Sequence, residues 1–381
     1  MTANTRIGIA RAEIVGSLLR PGYLKEARQA ARDGTLGEAQ LREVEDRAVI
    51  EAIALQERIG LDVISDGELR RAGWASPLRA ALSGFTSFQG GSGYRWRTGD
   101  AQHAQVRDDR AGSWPFVTER VQIRRDAAQA EYPFLKAHAH SRTKYTFPAP
   151  SYYRTHWHEQ RSSAAYPTAE EFLTTIRDYT RQVVREVVAL GCDYVQLDAP
   201  NYGRACDPDF QTLMQSQGRG GAIADLQFDG ALDNSVFDGI GGTRGITRAM
   251  HICRGNGAGA WNAQGGYGAI AVQLFPLLTN IDVLLLEYDT PRAGDFSPLR
   301  EVLPRQRVVL GLLTTKEGRP EDAATVESRI HEAEQFLPLE RLAVSPQCGF
   351  ASAEAGNPIT PEEQEAKLRL VVQTARRVWG A

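Results

Sequence analysis

Eight apolar runs of strand length recur along this chain of 381 residues, separated by helical patterns. We place them at 14–21, 61–68, 144–150, 193–200, 250–256, 283–289, 307–314 and 342–349. Strands that alternate with helices pair in parallel, because each helix returns the chain to the start of the next strand. Eight such units predict an α/β fold of the (β/α)8 barrel type, with residues 1–381 as one domain. An open doubly wound sheet is the alternative.

Polar side chains fall at or just after the carboxyl ends of seven of these runs. They are Ser17, Glu68, Asp198, Cys253, Glu287, Lys316 and Cys348. In a (β/α)8 barrel the carboxyl ends of all strands form one face, and catalytic residues lie there. The pattern therefore predicts one functional site at that face, whereas an open sheet would spread these ends along a line.

The helical segments between the runs have recognisable ends. We predict helices over 38–58, 169–190, 323–336 and 361–379. Gly60 suits the end of the first of these. Thr168 with Glu171, and Thr360 with Pro361, suit helix starts. The segment 85–142 breaks the alternation after the second run, and we interpret it as an insertion that lies over one end of the domain as a lid.

Composition excludes several classes of protein. The formal net charge is −3 and no long basic run occurs, so a nucleic-acid partner is not indicated. No apolar run approaches the roughly 20 residues that span a bilayer. The first residues lack the apolar core of a secretory signal, so we expect a cytoplasmic protein. In that reducing compartment the four cysteines are expected as thiols or metal ligands.

A metal site is predicted by four residues on three strands. His251 and Cys253 are two residues apart, so on a strand they point to the same side. Glu287 and Cys348 end later strands, and together the four offer nitrogen, sulfur and oxygen donors. Each alone is more often a structural core residue, and no Cys-x-x-Cys knuckle is present. The combination favours Zn²⁺ over magnesium or calcium.

Two acids at strand ends suggest a second function for the same face. Glu68 and Asp198 would suit a ligand with an ammonium group, although solvated strand-end acids are the simpler interpretation. Ser17 has no histidine and aspartate at triad spacing, so a nucleophilic serine is not predicted.

The ordered set of motifs resembles the catalytic C-terminal half of cobalamin-independent methionine synthase, and more closely its stand-alone single-barrel relatives. The motifs are Val15-Gly16-Ser17-Leu18-Leu19-Arg20-Pro21, Ser65-Asp66-Gly67-Glu68, Gln196-Leu197-Asp198, His251-Ile252-Cys253, Glu287 and Ser345-Pro346-Gln347-Cys348-Gly349-Phe350. The resemblance covers nearly the whole chain.

This resemblance implies roles for individual residues. His251, Cys253, Glu287 and Cys348 match the family's zinc ligands. Ser17, Glu68 and Asp198 match its homocysteine site. It implies a catalytic barrel that transfers a methyl group to homocysteine through a zinc-held thiolate, giving methionine. Glu287 is expected to loosen as the thiol enters, and Lys316 stands where the family has the histidine that protonates the leaving group.

The departures from the family leave alternatives open. The acidic run that helps to hold folate is replaced by Ala199-Pro200-Asn201-Tyr202-Gly203-Arg204. Single-barrel relatives include epoxyalkane:coenzyme M transferase, whose sulfonate substrate needs a positive group. The candidates for that group are Arg20, Arg70, Arg71 and Arg204. A non-catalytic metal- or thiol-binding barrel is a third hypothesis. The predicted partners are a small thiol and an alkyl donor, and we expect the insertion to contact the alkyl donor. The sequence does not decide whether the protein forms a homo-oligomer.

Overall fold

The computed structural model describes residues 10–91, 94–99, 104–108, 112–216, 223–241 and 245–380. The strands are β1 Leu82–Gln89, β2 Arg95–Thr98, β3 Gln105–Asp108, β4 Ser113–Ile123, β5 Tyr145–Pro148, β6 Tyr194–Asp198, β7 Thr247–Ile252, β8 Val283–Glu287, β9 Arg307–Leu313 and β10 Leu342–Pro346. The α-helices are α1 Gly22–Arg32, α2 Glu38–Ile59, α3 Ser76–Ala81, α4 Ala127–His138, α5 Glu159–Ser162, α6 Ala169–Ala189, α7 Pro200–Ala205, α8 Pro208–Ser216, α9 Leu226–Ser235, α10 Ala271–Leu274, α11 Ala323–Glu334 and α12 Pro361–Trp379.

Strands β5 to β10 form one parallel sheet in chain order. Two short extended segments complete the ring. Parallel bridges join Ala12 to Val344 of β10, Glu13 to Val63, and Ile64 to Thr143 beside β5. The (β/α)8 barrel is therefore confirmed. The first run pairs at 12–13, earlier than the predicted 14–21, because the chain has already reached the barrel rim at the Gly16-Ser17 turn.

Alternation along the strands divides the apolar side chains into two clusters. A small cluster fills the barrel interior, and a large one lies between the barrel and its helices. The interior cluster comprises Ala10, Val15, Val63, Tyr194, Ala249, Val283, Leu285, Val309 and Ala343. Because successive side chains point to opposite faces, His251 shares the inner face with Ala249, and Glu287 shares it with Leu285.

The predicted helix ends are found where their residues dictate. Gly60 adopts a left-handed conformation (φ 89°) after α2. The Thr168 hydroxyl accepts the Glu171 N–H at the start of α6. A reciprocal capping box with Thr360 starts α12. Within the described residues, no helix combines the length and apolar character that crossing a membrane requires.

The segment 85–142 forms antiparallel structure above the barrel, followed by α4. Its residues 92–93, 100–103 and 109–111 lie outside the described residues. β1 pairs with β4, and β2 pairs with β3. β2 is tied to the loop after β7 by a two-way backbone bridge between Arg97 and Trp261, at 2.7 and 2.9 Å. α4 packs against α2 and α6 in the outer ring of helices.

Candidate metal centre and active site

Four buried side chains from three strand ends converge at the carboxyl face of the barrel. They are His251, Cys253, Glu287 and Cys348, and their donor atoms all lie within 4.8 Å of one another. His251 lies in β7 and Cys253 directly follows that strand, β8 ends in Glu287, and Cys348 follows β10. The chain separates these residues by up to nearly a hundred positions, and only closure of the barrel brings them together.

Hydrogen bonds fix the orientation of these donors. His251 Nδ1 lies 3.2 Å from the Leu285 carbonyl oxygen, so this nitrogen carries the proton. Nε2 is then left with a lone pair that it can offer to a metal. Nε2 is buried without a partner in the described structure. The Gly255 N–H donates to Cys253 Sγ at 3.1 Å, and the Arg254 N–H donates to Glu287 Oε2 at 2.9 Å.

The electrostatics of this cluster favour a cation. Burial, together with the nearby Cys348, raises the pKa of Glu287 to about 7. Its hydrogen bond to Cys348 raises the pKa of Cys253, while the same bond and the nearby His251 side chain lower the pKa of Cys348. Two thiols and a carboxyl therefore crowd a buried space where negative charge is poorly solvated. The unpartnered imidazole nitrogen and this donor set fit a bound metal ion, and zinc is a metal that accepts such mixed nitrogen, sulfur and oxygen ligands.

Lys316 supports the cluster from behind and does not line the cavity. Gln347 joins it to the carboxylate, with its amide oriented to satisfy both neighbours. The amide nitrogen then donates to the Glu287 oxygens at 2.6 and 3.2 Å, and the amide oxygen accepts from Lys316 Nζ at 2.8 Å. Lys316 is thus placed to hold Glu287 through Gln347. The sequence did not single out Gln347, although it directly precedes Cys348.

Glu68 lines the same cavity as His251, Cys253 and Cys348, in a strained backbone conformation (φ 56°). Its Oε1 accepts from the Thr146 hydroxyl at 2.8 Å and lies 3.4 Å from Arg71 Nη1. Its Oε2 is buried without a partner in the described structure. Burial raises the pKa of Glu68 to about 7. The negative charge of Asp198 adds to this increase, and the positive charge of Arg71 opposes it. One carboxylate oxygen is therefore open to a ligand.

Asp198 and Ser17 complete this side of the cavity. Asp198 Oδ1 accepts from Gln196 at 2.8 Å, and burial raises its pKa to about 6. The Ser17 hydroxyl oxygen accepts the Ala351 N–H at 3.2 Å, which leaves its proton available to a ligand. Gly16 allows the close approach of Glu68, since a Cβ there would lie 2.6 Å from Glu68 Oε1.

The four arginines considered for an anionic substrate have different environments. Arg20 is buried, does not line the cavity, and donates to the backbone oxygens of Arg71, Ala351 and Ala353. Arg70 pairs with acids of α2, and Arg71 pairs with Glu131 at 2.8 Å. Arg204 is the one of these four that lines the cavity.

A cavity of about 240 Å³ connects the cluster with Glu68, Asp198 and Ser17. Its outer wall is aromatic, a feature the sequence analysis missed. The aromatic residues are Trp74, Tyr94, Trp96, Trp114 and Tyr152. Three of them come from the lid, so its described residues do reach the site. The Tyr94-x-Trp96 spacing, with Tyr94 directly before β2 and Trp96 in it, was the available signal, because residues two apart in extended chain point to the same side.

Known proteins resemble this chain in sequence. A family model described as the catalytic domain of cobalamin-independent synthase matches residues 12–96. The uncharacterised protein YxjH of Bacillus subtilis is 34% identical over 371 residues, covering 97% of this chain and 94% of YxjH. A methionine synthase of Sulfolobus acidocaldarius is 26% identical over 347 residues, covering 90% of this chain and 86% of that protein.

Solved structures share the fold along the whole chain. One from Listeria monocytogenes, provisionally named a vitamin-B12-independent methionine synthase, is 27% identical with a TM-score of 0.71, covering 98% of this chain and 100% of its own. A B12-independent methionine synthase from Shewanella, at 18% identity, has a TM-score of 0.69 and covers 97% of this chain and 98% of its own. The chain therefore belongs to the cobalamin-independent methionine synthase family.

Proposed function

We propose that this protein is a zinc-dependent thiol alkyltransferase that methylates homocysteine to give methionine. The observation that carries the proposal is the pairing of two sites in one cavity. One is the buried His, Cys, Glu, Cys cluster, three of whose members line the cavity. The other is Glu68, with an unpartnered carboxylate oxygen, and the nearby Asp198. A small amino-acid thiol reaches both at once.

Each side chain has a task in this reaction. Zinc, when bound, lowers the pKa of a thiol and keeps it as a thiolate near pH 7. Glu68 Oε2 and Asp198 hold the ammonium group of homocysteine, and the Ser17 hydroxyl donates to its carboxylate. The amino-acid end is thereby fixed, and the sulfur is directed at the cluster. Bringing the reacting atoms together in this way removes much of the entropic cost of the displacement.

The metal ligands are tested by substitution. In Cys253→Ala one thiolate donor is lost from the cluster, so we expect the loss of bound zinc and of methyl transfer together. Zinc content is measured by elemental analysis of the purified protein. Cys192→Ala serves as the matched control, because Cys192 is buried between α6 and β6, away from the cavity. A Cys253→Ala protein with a full equivalent of zinc would contradict the ligand set.

Thiol binding to the zinc-loaded protein tests the substrate. Calorimetry in buffers of different ionisation enthalpy counts the proton that is released when a thiol binds as thiolate. We expect homocysteine to bind with release of about one proton. Coenzyme M has no ammonium group for Glu68 and Asp198, and we expect it to bind far more weakly.

Epoxide opening with coenzyme M is the second candidate, and Arg204 in the cavity wall favours it. The sulfonate of coenzyme M would need that guanidinium, whereas the carboxylates of Glu68 and Asp198 in the same cavity would repel the anion. Tight binding of coenzyme M that is lost in Arg204→Gln, with no binding of homocysteine, would replace the first proposal by this one.

A further inference from the structure

The aromatic rings that line the cavity, here called the box, meet one another at steep angles, while Trp114 also stacks in parallel on His156 outside the lining, at 7° and 4.7 Å. Tyr94 meets Trp96 at an interplanar angle of 84° and Trp114 at 69°, with ring centroids 6.0 and 5.5 Å apart. Trp74 meets Tyr152 at 61° and 4.7 Å. A flat ring is best held between parallel rings, while rings that stand at steep angles surround a compact group. The negative faces of aromatic rings attract a cation placed among them.

Polar atoms left open on the same cavity are acceptors. Asn256 lines it, and its amide nitrogen donates to the Gly349 carbonyl at 2.7 Å and to the Ser352 hydroxyl at 3.0 Å. This fixes the amide, so Asn256 Oδ1 faces away from these partners, buried and without one in the described structure. Asn262 also lines the cavity, and its Oδ1 is likewise buried without a hydrogen-bond partner in the described structure. Ring faces and bare carbonyl oxygens together present negative potential.

The titratable groups of the cluster and of the amino-acid site, as the described residues place them, are not free to protonate a leaving group. Lys316 is engaged by Gln347 behind the cluster, and His251 belongs to the cluster itself. Glu68 and Asp198 are the groups assigned to the ammonium of homocysteine. An amine or alkoxide leaving group needs a proton as it departs. A sulfide or tertiary amine that leaves from an onium centre departs neutral and needs none.

We propose that the aromatic wall binds a small onium methyl donor, a methyl sulfonium or methyl ammonium compound; this rests on the proposed methylation of homocysteine. The homocysteine thiolate attacks the onium methyl carbon. A new carbon–sulfur bond forms, and the bond from that carbon to the onium atom breaks with its electron pair going to the onium atom. The products are methionine and a neutral sulfide or amine, and no further reactant is required.

Arg204 suggests that the donor also carries a carboxylate. Its guanidinium lies 4.6 and 5.2 Å from the ring centroids of Tyr94 and Phe210. Tyr94 and Arg204 line both this cavity and a smaller neighbouring one, whereas Phe210 lines only the smaller one, so Arg204 stands at the rim of the box beside Tyr94. An onium group in the box and a carboxylate a few bonds away would meet charges of the opposite sign.

The test is a binding comparison with uncharged isosteres. Zinc-loaded protein saturated with 2-aminobutyrate, which occupies the amino-acid site without a thiol, is titrated calorimetrically with dimethylsulfoniopropionate and with glycine betaine. Their carbon isosteres, 4-methylpentanoate and 3,3-dimethylbutanoate, have the same shape without the positive charge. We expect at least one onium compound to bind about tenfold or more tightly than its isostere, and the two arms separate sulfonium from ammonium. Equal binding within each pair, or no binding of either onium compound, would overturn the proposal.

Variants connect the binding to the box. Trp74→Leu and Trp96→Leu each remove one ring from a different element, and we expect each to weaken onium binding about tenfold while Trp96→Phe weakens it less. Trp379→Phe, at the far end of α12, is the control and should change nothing. Weaker onium binding in both Trp74→Leu and Trp96→Leu, with 2-aminobutyrate binding unchanged, would support the box as the onium site. If 2-aminobutyrate does not bind the wild-type protein, the proposed function itself is wrong. If 2-aminobutyrate binds and only 5-methyltetrahydrofolate acts as methyl donor, the onium proposal is wrong and the proposed function stands.

Discussion

Replacing Glu68 by glutamine gives the sharpest test of the amino-acid site. The Thr146 hydroxyl and Arg71 both direct hydrogens at Oε1, so in Glu68→Gln the amide oxygen is held at that position. The amide N–H₂ then replaces the open Oε2 and faces the ammonium of the ligand, donor against donor. A hydrogen bond to a charged group contributes about 1.5–3 kcal/mol. We therefore expect the Kd for homocysteine to rise roughly tenfold to 150-fold.

The same variant makes a prediction about pH. Burial raises the pKa of Glu68 to about 7, so below pH 7 the carboxyl is mostly protonated in the free protein. Binding an ammonium requires the carboxylate, and affinity in the wild type should fall by up to about tenfold per pH unit below that value. Titrating 2-aminobutyrate avoids any contribution from a thiol. In Glu68→Gln this part of the pH dependence should disappear, leaving a weaker fall from Asp198 below about pH 6.

Asp233→Asn is the matched control. This carboxyl is buried, burial raises its pKa to about 7, and it accepts from Ser151 and Tyr202 outside the cavity lining. Its substitution should leave the Kd of both ligands unchanged. The reasoning would be refuted if Glu68→Gln bound 2-aminobutyrate within twofold of the wild type, with the same pH profile.

Three further predictions concern the support of the site and the fold. In Gly16→Ala the new Cβ would lie 2.6 Å from Glu68 Oε1, so Glu68 must move, and calorimetry should show weaker homocysteine binding with the zinc content unchanged. In Lys316→Met the support of Glu287 through Gln347 is lost, and competition with a chelator should show zinc affinity reduced about tenfold to a hundredfold; unchanged affinity with lost turnover would instead make Lys316 an acid in the reaction. In Thr360→Ala the α12 cap is lost, and thermal unfolding should show a loss of about 1 kcal/mol with normal zinc content.

Local sequence was sufficient wherever local physics decides the outcome. The start of α12 follows from Thr360 and Glu363, which satisfy each other's backbone groups without help from the rest of the chain. The inward direction of both His251 and Cys253 follows from the period of two along β7. The eightfold alternation predicted the barrel, and the barrel in turn predicted that its carboxyl end would gather the polar residues.

Residues whose role depends on a distant neighbour were harder to judge. Lys316 follows a strand as a catalytic residue would, but its ammonium turns to Gln347, 31 positions later in the chain. Arg20 lies in a motif beside the site, but its guanidinium donates hydrogen bonds to backbone oxygens of two other loops. Sequence spacing fixes which residues are near a strand end, and it does not fix which way a long flexible side chain turns.

The sequence by itself determined the barrel, its helix ends and the chemical identity of the donor set, because periodicity, capping and ligand type are properties of short segments. Tertiary structure alone decided that Glu68 keeps one oxygen open and that Asn256 is left with an unpartnered carbonyl oxygen. It also decided that the aromatic rings of the lid close over the cavity. These outcomes depend on packing between segments far apart in the chain, where a single bridge such as that of Arg97 to Trp261 sets what faces the site.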